Sequence, residues 1–266
     1  MLNALVGEKI ASVSNKPQTT RTRITGIKTI GDTQLVFMDT PGLHKPKNKL
    51  SEHMLNTVTE SVVDIDLLLF MMDCTRQMTP QEEAMLLDCK RRKRPVIVIL
   101  NKIDLLEDKT RLAGMMVGIQ SRFDPASIIP ISVTEQDGVD LVEQEVLSHA
   151  KESPHFFPDE MFTDQPEKVI AAEMVREQLL RMLDDEVPHG IAVMTESMTE
   201  REEQDILDIS VVIYCERESH KGIVIGKKGA MLKRVASAAR TSLEDFFRIK
   251  VNLQCWVKVK EDWRNR

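Results

Sequence analysis

The sequence contains no run of 18 or more apolar residues, so no segment is expected to span a membrane. Its first residues, Met1-Leu2-Asn3-Ala4-Leu5-Val6-Gly7, have no basic flank and no long apolar stretch, and do not read as a signal peptide. Cysteine is scarce, and Cys74, Cys89, Cys215 and Cys255 form no CxxC pair and have no histidine at metal-ligand spacing. That argues against a zinc site and reads as reduced, mostly buried thiols of a cytosolic protein. Also absent is any GxxxxGK[ST] phosphate loop, with its cradle of backbone N–H groups, its lysine and its Mg²⁺-ligating hydroxyl.

What is present is ordinary for a globular protein: 266 residues, 42% hydrophobic and 29% charged. That length suggests one large or two ordinary domains. The net charge of −6 is unevenly spread. From Glu216 to Arg266 there are 13 Lys and Arg against 6 Asp and Glu, a net +7, so the preceding 215 residues carry −13. A basic C-terminal block on an acidic protein suggests a polyanionic partner for that block, the plain alternative being a solvated basic face.

Two short motifs follow apolar strands. Pro95 to Leu100 reads as a buried parallel strand and runs into Asn101-Lys102-Ile103-Asp104. Leu35-Val36-Phe37-Met38 runs into Asp39-Thr40-Pro41-Gly42. Both motifs therefore sit at carboxyl ends of strands, where open α/β sheets bind ligands. A carboxylate such as Asp104 can accept from the ring N–H and the exocyclic amine of guanine together, a donor pair that adenine lacks. Asp39 is placed to hold a Mg²⁺-bound water, and the Gly42 N–H to meet a γ-phosphate. Thr19 or Thr20, in the polar loop before the strand at 22–27, could ligate Mg²⁺ through its hydroxyl. Leu43 stands where many GTPases carry a water-positioning Gln, and an apolar side chain cannot orient that water. His44 has no visible partner and reads as inert.

Apolar strands alternate with helices through the first half. A helix is expected near 2–10, strands at 22–27 and 34–38, and a helix carrying Leu50, Met54, Leu55, Val58 and Val62. A strand at 67–72 follows, and then a helix opened by Thr79-Pro80-Gln81-Glu82 as a capping box. A helix over 107–122, a strand over 127–131 and a helix over 139–149 complete a doubly wound α/β domain over 1–152. Residues 153–165 read as a proline-rich linker. An α+β domain occupies 166–266, with an amphipathic helix at 167–185, strands near 190–196, 207–215 and 250–259, and an acidic loop over Glu200–Asp205.

Within it, Gly226-Lys227-Lys228-Gly229 leads into a helix. Two glycines allow close backbone approach, helix-start N–H groups are exposed, and two lysines add charge. That combination grips a sugar-phosphate backbone in the manner of KH modules, with bases splayed over the adjoining apolar groove. The plain alternative is a strand–turn–helix connection with surface lysines. His189, His220, Trp256 and Trp263 read as fold residues, although the tryptophans on this basic segment could also stack on bases.

Taken in order, Gln18 to Arg21, Asp39 to His44, Asn101 to Asp104, Pro130 to Ser132, Val224 to Ala230 and the Trp256-Val257-Lys258-Val259-Lys260 run make the chain resemble the Era family of bacterial GTPases along its whole length. The resemblance implies a P-loop-type α/β GTPase domain followed by a KH domain, and a GTP-hydrolysing switch. It implies binding of small-subunit ribosomal RNA near its 3′ end, assistance to 30S subunit maturation, and a cytoplasmic monomer that can associate peripherally with the inner membrane. Nucleotide binding would fall to Asp39, Thr40, Pro41, Gly42, Leu43, Asn101, Lys102, Ile103, Asp104 and Ser132. Mg²⁺ would fall to Thr20 and Asp39, and RNA to Gly226, Lys227, Lys228, Gly229 and Lys233.

The family opens with a strand and a phosphate loop, whereas Met1-Leu2-Asn3 here matches the helix after that loop. Base recognition is expected to survive and tight triphosphate binding is not. In this fold the first strand lies between those ending at Asp39 and Asp73. Its absence exposes two strand edges, at about 1–3 kcal/mol per buried unsatisfied group, against a total stability of about 5–15 kcal/mol. The sequence is therefore expected to be the downstream part of a longer chain. A nucleotide-independent RNA-binding protein, or a GTPase whose C-terminal domain docks a protein, are the alternative readings.

Overall fold

The computed structural model describes residues 1–16, 19–42, 49, 52, 65–184 and 187–265. Leu43, His44 and the helix expected over 50–62 fall outside the described residues, except for position 52. The chain divides into two compact units. One comprises 1–8, 26–38 and 58–162, the other 9–25, 39–57 and 163–266.

The first unit is built on strands β1 (Ile24–Ile30), β2 (Thr33–Asp39), β3 (Leu68–Asp73), β4 (Val96–Asn101) and β5 (Ser127–Ile131), with a few terminal residues assigned to the other unit. β3, β4 and β5 form a parallel sheet in that order, in the register Asp73↔Asn101 and Asn101↔Ile131. β4 is central. From Ile97 to Leu100 it is fully buried, as its unbroken apolar run requires of a parallel strand covered on both faces. Among the described residues, β1 and β2 pair only with each other and form a separate two-stranded sheet. Among the described residues, helices α1 (Leu2–Val6), α2 (Pro80–Arg91), α3 (Thr110–Phe123) and α4 (Val139–Ser148) belong to this unit. Leu5, Leu35, Ile97, Ile99, Ile131, Val142 and their neighbours form its core. The expected capping box is present: Thr79 Oγ1 accepts from Glu82 N at 3.3 Å, and Glu82 Oε2 accepts from Thr79 N at 2.7 Å.

The proline-rich stretch is tied down. Phe156 N and Phe157 N donate to Gln34 Oε1 at 2.9 and 3.0 Å, and Ile27 N donates to Phe162 O at 2.9 Å. These bonds satisfy backbone donors that a free linker would leave to water.

The second unit has α5 (Glu167–Met182), β6 (Ile191–Arg201), β7 (Ile206–Cys215), α6 (Glu218–Ile225), α7 (Ala230–Phe247) and β8 (Lys250–Val259). β6 and β7 are antiparallel, β7 and β8 parallel. The stretch expected as an acidic loop is mostly the end of β6 and a 3₁₀ turn over Glu202–Gln204. Ile223-Val224-Ile225, β-branched though it is, ends a helix because Val224 is drawn fully into the core beside Val235 and Ala239. The four cysteines are free thiols, three of them buried. Burial pushes the thiols of Cys215 and Cys255 up to about 11, which keeps them protonated and unreactive. No helix among the described residues is long and apolar enough to cross a membrane.

Candidate functional site

The first candidate is a strand-end loop. Because β3, β4 and β5 are parallel and in register, their carboxyl ends share one edge, carrying Asp73, Asn101–Asp104 and Ser132–Val133. Asn101 does not project freely. Its Oδ1 accepts from Val133 N at 3.1 Å and so joins the β4 loop to the β5 loop. Ser132 is buried, and its Oγ accepts from Glu135 N at 3.2 Å. Lys102 takes up a left-handed conformation with φ 71°. Its ammonium meets Asp73 Oδ2 at 2.6 Å, and Thr75 donates through N and Oγ1 to Asp73 Oδ1 at 2.9 and 2.6 Å. Partial burial opposes ionisation of Asp73, but the bonds from Lys102 and Thr75 outweigh it and hold the carboxyl down at about 2. Asp73, which the sequence marks only as a strand end, thus fixes the loop. Ile103–Leu105 form a single 3₁₀ turn, and Asp104 is exposed on it. Asn101 and Lys102 are engaged in holding the loop, while Asp104 presents its carboxylate outward.

Asp39 closes β2 and falls in the second unit, followed by Thr40, buried Pro41 and exposed Gly42. Its Oδ2 accepts from Thr20 Oγ1 at 3.2 Å. Burial pushes the Asp39 carboxyl up, and the bond from Thr20 partly offsets this. Of the two threonines considered, Thr20 therefore meets Asp39. Thr19 instead donates to Lys16 O at 2.6 Å.

The segment carrying Thr20 is stitched to α5, which amphipathicity alone did not reveal. Arg176, Glu177 and Gln178 are 3%, 0% and 5% exposed, although all three are polar or charged. Glu177 accepts from Lys9 Nζ at 2.9 Å and from Val13 N at 3.0 Å. Ser12 Oγ donates to Glu173 Oε2 at 3.0 Å, and Arg176 donates to the Thr19 carbonyl. Arg21 is buried too. It donates to Ile191 O at 2.5 Å, His189 O at 3.2 Å and Pro188 O at 3.3 Å, and lies 5.7 Å from the centre of a Trp263 ring. Burial, with Arg176 nearby, brings its guanidinium down to about 9, so it stays charged at neutral pH. Trp263 has a structural part here, donating from Nε1 to Gly190 O at 3.1 Å.

The second candidate is the glycine-lysine loop between α6 and α7. Gly226 has φ 71° and ψ 174°, and a Cβ there would stand 2.7 Å from Met231 Cβ and 2.9 Å from Met231 N. Lys228 and Gly229 are also at positive φ, 51° and 78°. Lys227 and Lys228 are exposed. Val224 is fully buried and Met231 and Leu232 pack on the core, so the loop is pinned on both sides. Lys233 lines a groove of about 650 Å³ with Arg234, Ser237, Thr241 and Met182. The motif is helix–turn–helix rather than strand–turn–helix; Gly229 N donates to Gly226 O at 3.1 Å and the Ala230 N–H to Lys227 O, with two exposed lysines beside the start of α7.

The family described as "50S ribosome-binding GTPase" matches residues 1–102, and the family described as "KH domain" matches residues 186–264. GTPase Era of Ruminiclostridium cellulolyticum is 49% identical over 265 residues, covering all of this chain and 88% of that protein. GTPase Era of Clostridioides difficile is 45% identical, covering 100% and 89%. Among solved structures, Era in complex with MgGDPNP and nucleotides 1506–1542 of 16S ribosomal RNA superposes with a TM-score of 0.94 at 35% identity, covering 100% of this chain and 90% of that one. A single-residue variant of Aquifex aeolicus Era bound to GDP·AlF4⁻ gives the same values. A P-loop GTPase fold followed by a KH domain, with relatives of this identity along its whole length, places the chain in the Era family of GTPases.

Proposed function

We propose that the chain acts as a GTP-binding and GTP-hydrolysing switch that binds small-subunit ribosomal RNA and assists 30S subunit maturation. The observation that carries the reading is the strand-end loop, in which Asn101 and Lys102 are spent on Val133 and Asp73 while Asp104 is exposed. A carboxylate so held accepts two donors from guanine, with Ile103 and Ser132 beside it. Thr20 and Asp39 would serve Mg²⁺, whose charge neutralises phosphate oxygens, and Thr40, Pro41, Gly42 and Leu43 the terminal phosphate. Exchange of the Thr20–Asp39 hydrogen bond for the metal would be the local event sensed. Gly226, Lys227, Lys228, Gly229 and Lys233 would hold the RNA backbone. The relatives solved with MgGDPNP, 16S RNA and GDP·AlF4⁻ support guanine nucleotide, Mg²⁺ and small-subunit ribosomal RNA as the ligands. We place the domain boundaries at 152 and 166, and the chain in the cytoplasm as a monomer with peripheral inner-membrane association.

Asp104→Asn tests the base. It replaces an acceptor by a donor, and the ratio of affinities for labelled guanine and adenine nucleotides should fall by at least tenfold, about 1.4 kcal/mol. An unchanged ratio refutes the assignment. For RNA, Gly226→Asp should abolish salt-dependent binding of a 3′-terminal 16S oligonucleotide, and Lys227→Glu should weaken it without unfolding. Vesicle flotation and sedimentation velocity check membrane association and oligomeric state.

A further inference from the structure

The sheet β6–β7–β8 buries one face. Ile209, Val211 and Ile213 of β7 and Val251 of β8 enter the core with α5 and α7. The ladder registers put the alternate residues in rows across the opposite face, among them Met194–Val212–Trp256 and Ala192–Tyr214–Lys258. Val212 is fully buried, whereas Met194 and Trp256 on either side of it are each 57% exposed. A tryptophan left open on a rigid ladder is an aromatic platform rather than a core residue, and such exposed apolar groups are informative where they cluster.

The surroundings select the occupant. β8 carries Lys250 and Lys258 with no acidic residue, and Lys260 follows immediately. Lys258 reaches Glu196 at 3.1 Å, and Lys260 lies 5.7 Å from the centre of the Tyr214 ring, so both cations border the platform. An open aromatic with lysines two and four residues further along the chain matches a base and its flanking phosphates, since stacking tolerates any base and the cations track the backbone. The helix face of the same body carries the glycine-lysine loop, because α7 packs on the buried side of the sheet.

We propose that the open sheet face is a second single-stranded RNA contact, with one base stacked on Trp256 beside Met194 and adjacent phosphates held by Lys258 and Lys260. The choice of RNA rests on the reading of the glycine-lysine loop. A strand reaching both contacts must pass an edge of the sheet, so only an RNA long enough to turn that edge gains from both.

The test uses the full chain and a fluorescein-labelled RNA of the sequence 16S nucleotides 1506–1542. In a Trp263→Phe background Trp256 is the sole tryptophan. Saturating RNA should quench its emission and shield it from acrylamide. Trp256→Ala should weaken binding by about 5- to 150-fold, as for loss of one stacked base, with an unchanged circular dichroism spectrum. Trp256→Phe, which keeps a π-face, should stay within about threefold of wild type. Wild-type affinity in Trp256→Ala, or unchanged Trp256 emission at saturation, overturns the proposal. Loss of binding in Lys227→Glu with none in Trp256→Ala leaves the loop reading standing and removes this one. The converse removes the loop reading and supports this one. A wild-type chain that binds no RNA refutes both, and concentration-dependent burial of Trp256 without RNA assigns the face to protein and overturns the proposal.

Discussion

Gly226→Ala and Gly229→Ala should differ sharply in stability, although the two glycines bound the same four-residue loop. Gly226 has φ 71° and ψ 174°, a region that only glycine enters at low cost, and an L-residue held there loses about 1–3 kcal/mol. Its new Cβ would also sit 2.7 Å from Met231 Cβ and 2.9 Å from Met231 N. The nitrogen belongs to the first turn of α7 and cannot rotate away, so overpacking adds about 1–3 kcal/mol. Gly229, at φ 78° and ψ 9°, has nothing within 4 Å of where a Cβ would stand, and only the left-handed penalty of about 1–2 kcal/mol applies. The expected losses are therefore about 2–6 kcal/mol for Gly226→Ala and about 1–2 kcal/mol for Gly229→Ala. Both tryptophans, Trp256 and Trp263, lie in the second unit, so tryptophan emission during urea unfolding reports on that unit alone. The urea midpoint at constant slope gives the difference. Equal shifts for the two variants would refute the claim that contact with Met231 is what requires glycine at 226.

Three further outcomes are expected. The Asp73 carboxyl is held down at about 2, against 3.8 ordinarily. Its contribution to stability is therefore fully present above about pH 4 and lost as pH falls towards 2, and Lys102→Ala should raise the Asp73 titration midpoint in carbon-detected NMR. Arg176→Met keeps the stem but removes the donors to the Thr19 carbonyl and Glu173. Amide exchange between Ser12 and Thr20 should then speed at least tenfold, about 1.4 kcal/mol, and unchanged exchange would show that α5 does not hold this segment. Thr79→Ala removes the cap of α2, which should lose about 1 kcal/mol with faster exchange at the Glu82 amide. An exchange rate equal to wild type would mean that Glu82, held also by Arg76, keeps the helix start closed alone.

Much of the fold could be read locally. The run from Val96 to Leu100 is apolar at every position because a strand covered on both faces needs no alternation. Thr79 and Glu82 announce a helix start because the two bonds of a capping box join residues three apart. Asn101–Asp104 and Gly226–Gly229 are likewise contiguous, so their chemistry is visible before any folding. The helix over 218–225 was not legible, because Ile223-Val224-Ile225 has β-branched side chains and only burial of Val224 against Val235 and Ala239 decides the matter. Nor was the anchoring of the 155–162 stretch, whose partners Ile27 and Gln34 lie more than a hundred residues away.

The sequence by itself determined most strand and helix types and the order of the two halves, because each depends on neighbours within a turn or a strand. Only the tertiary structure decided that Lys102 pairs with Asp73, that Thr20 rather than Thr19 meets Asp39, and that Arg21, Arg176 and Glu177 are buried. Apart from the Arg176–Glu173 pair on one helix, the hydrogen-bonded partners lie 19 to 170 residues apart, and no local pattern encodes which distant carbonyl or carboxylate a charged side chain will find once the backbone has folded.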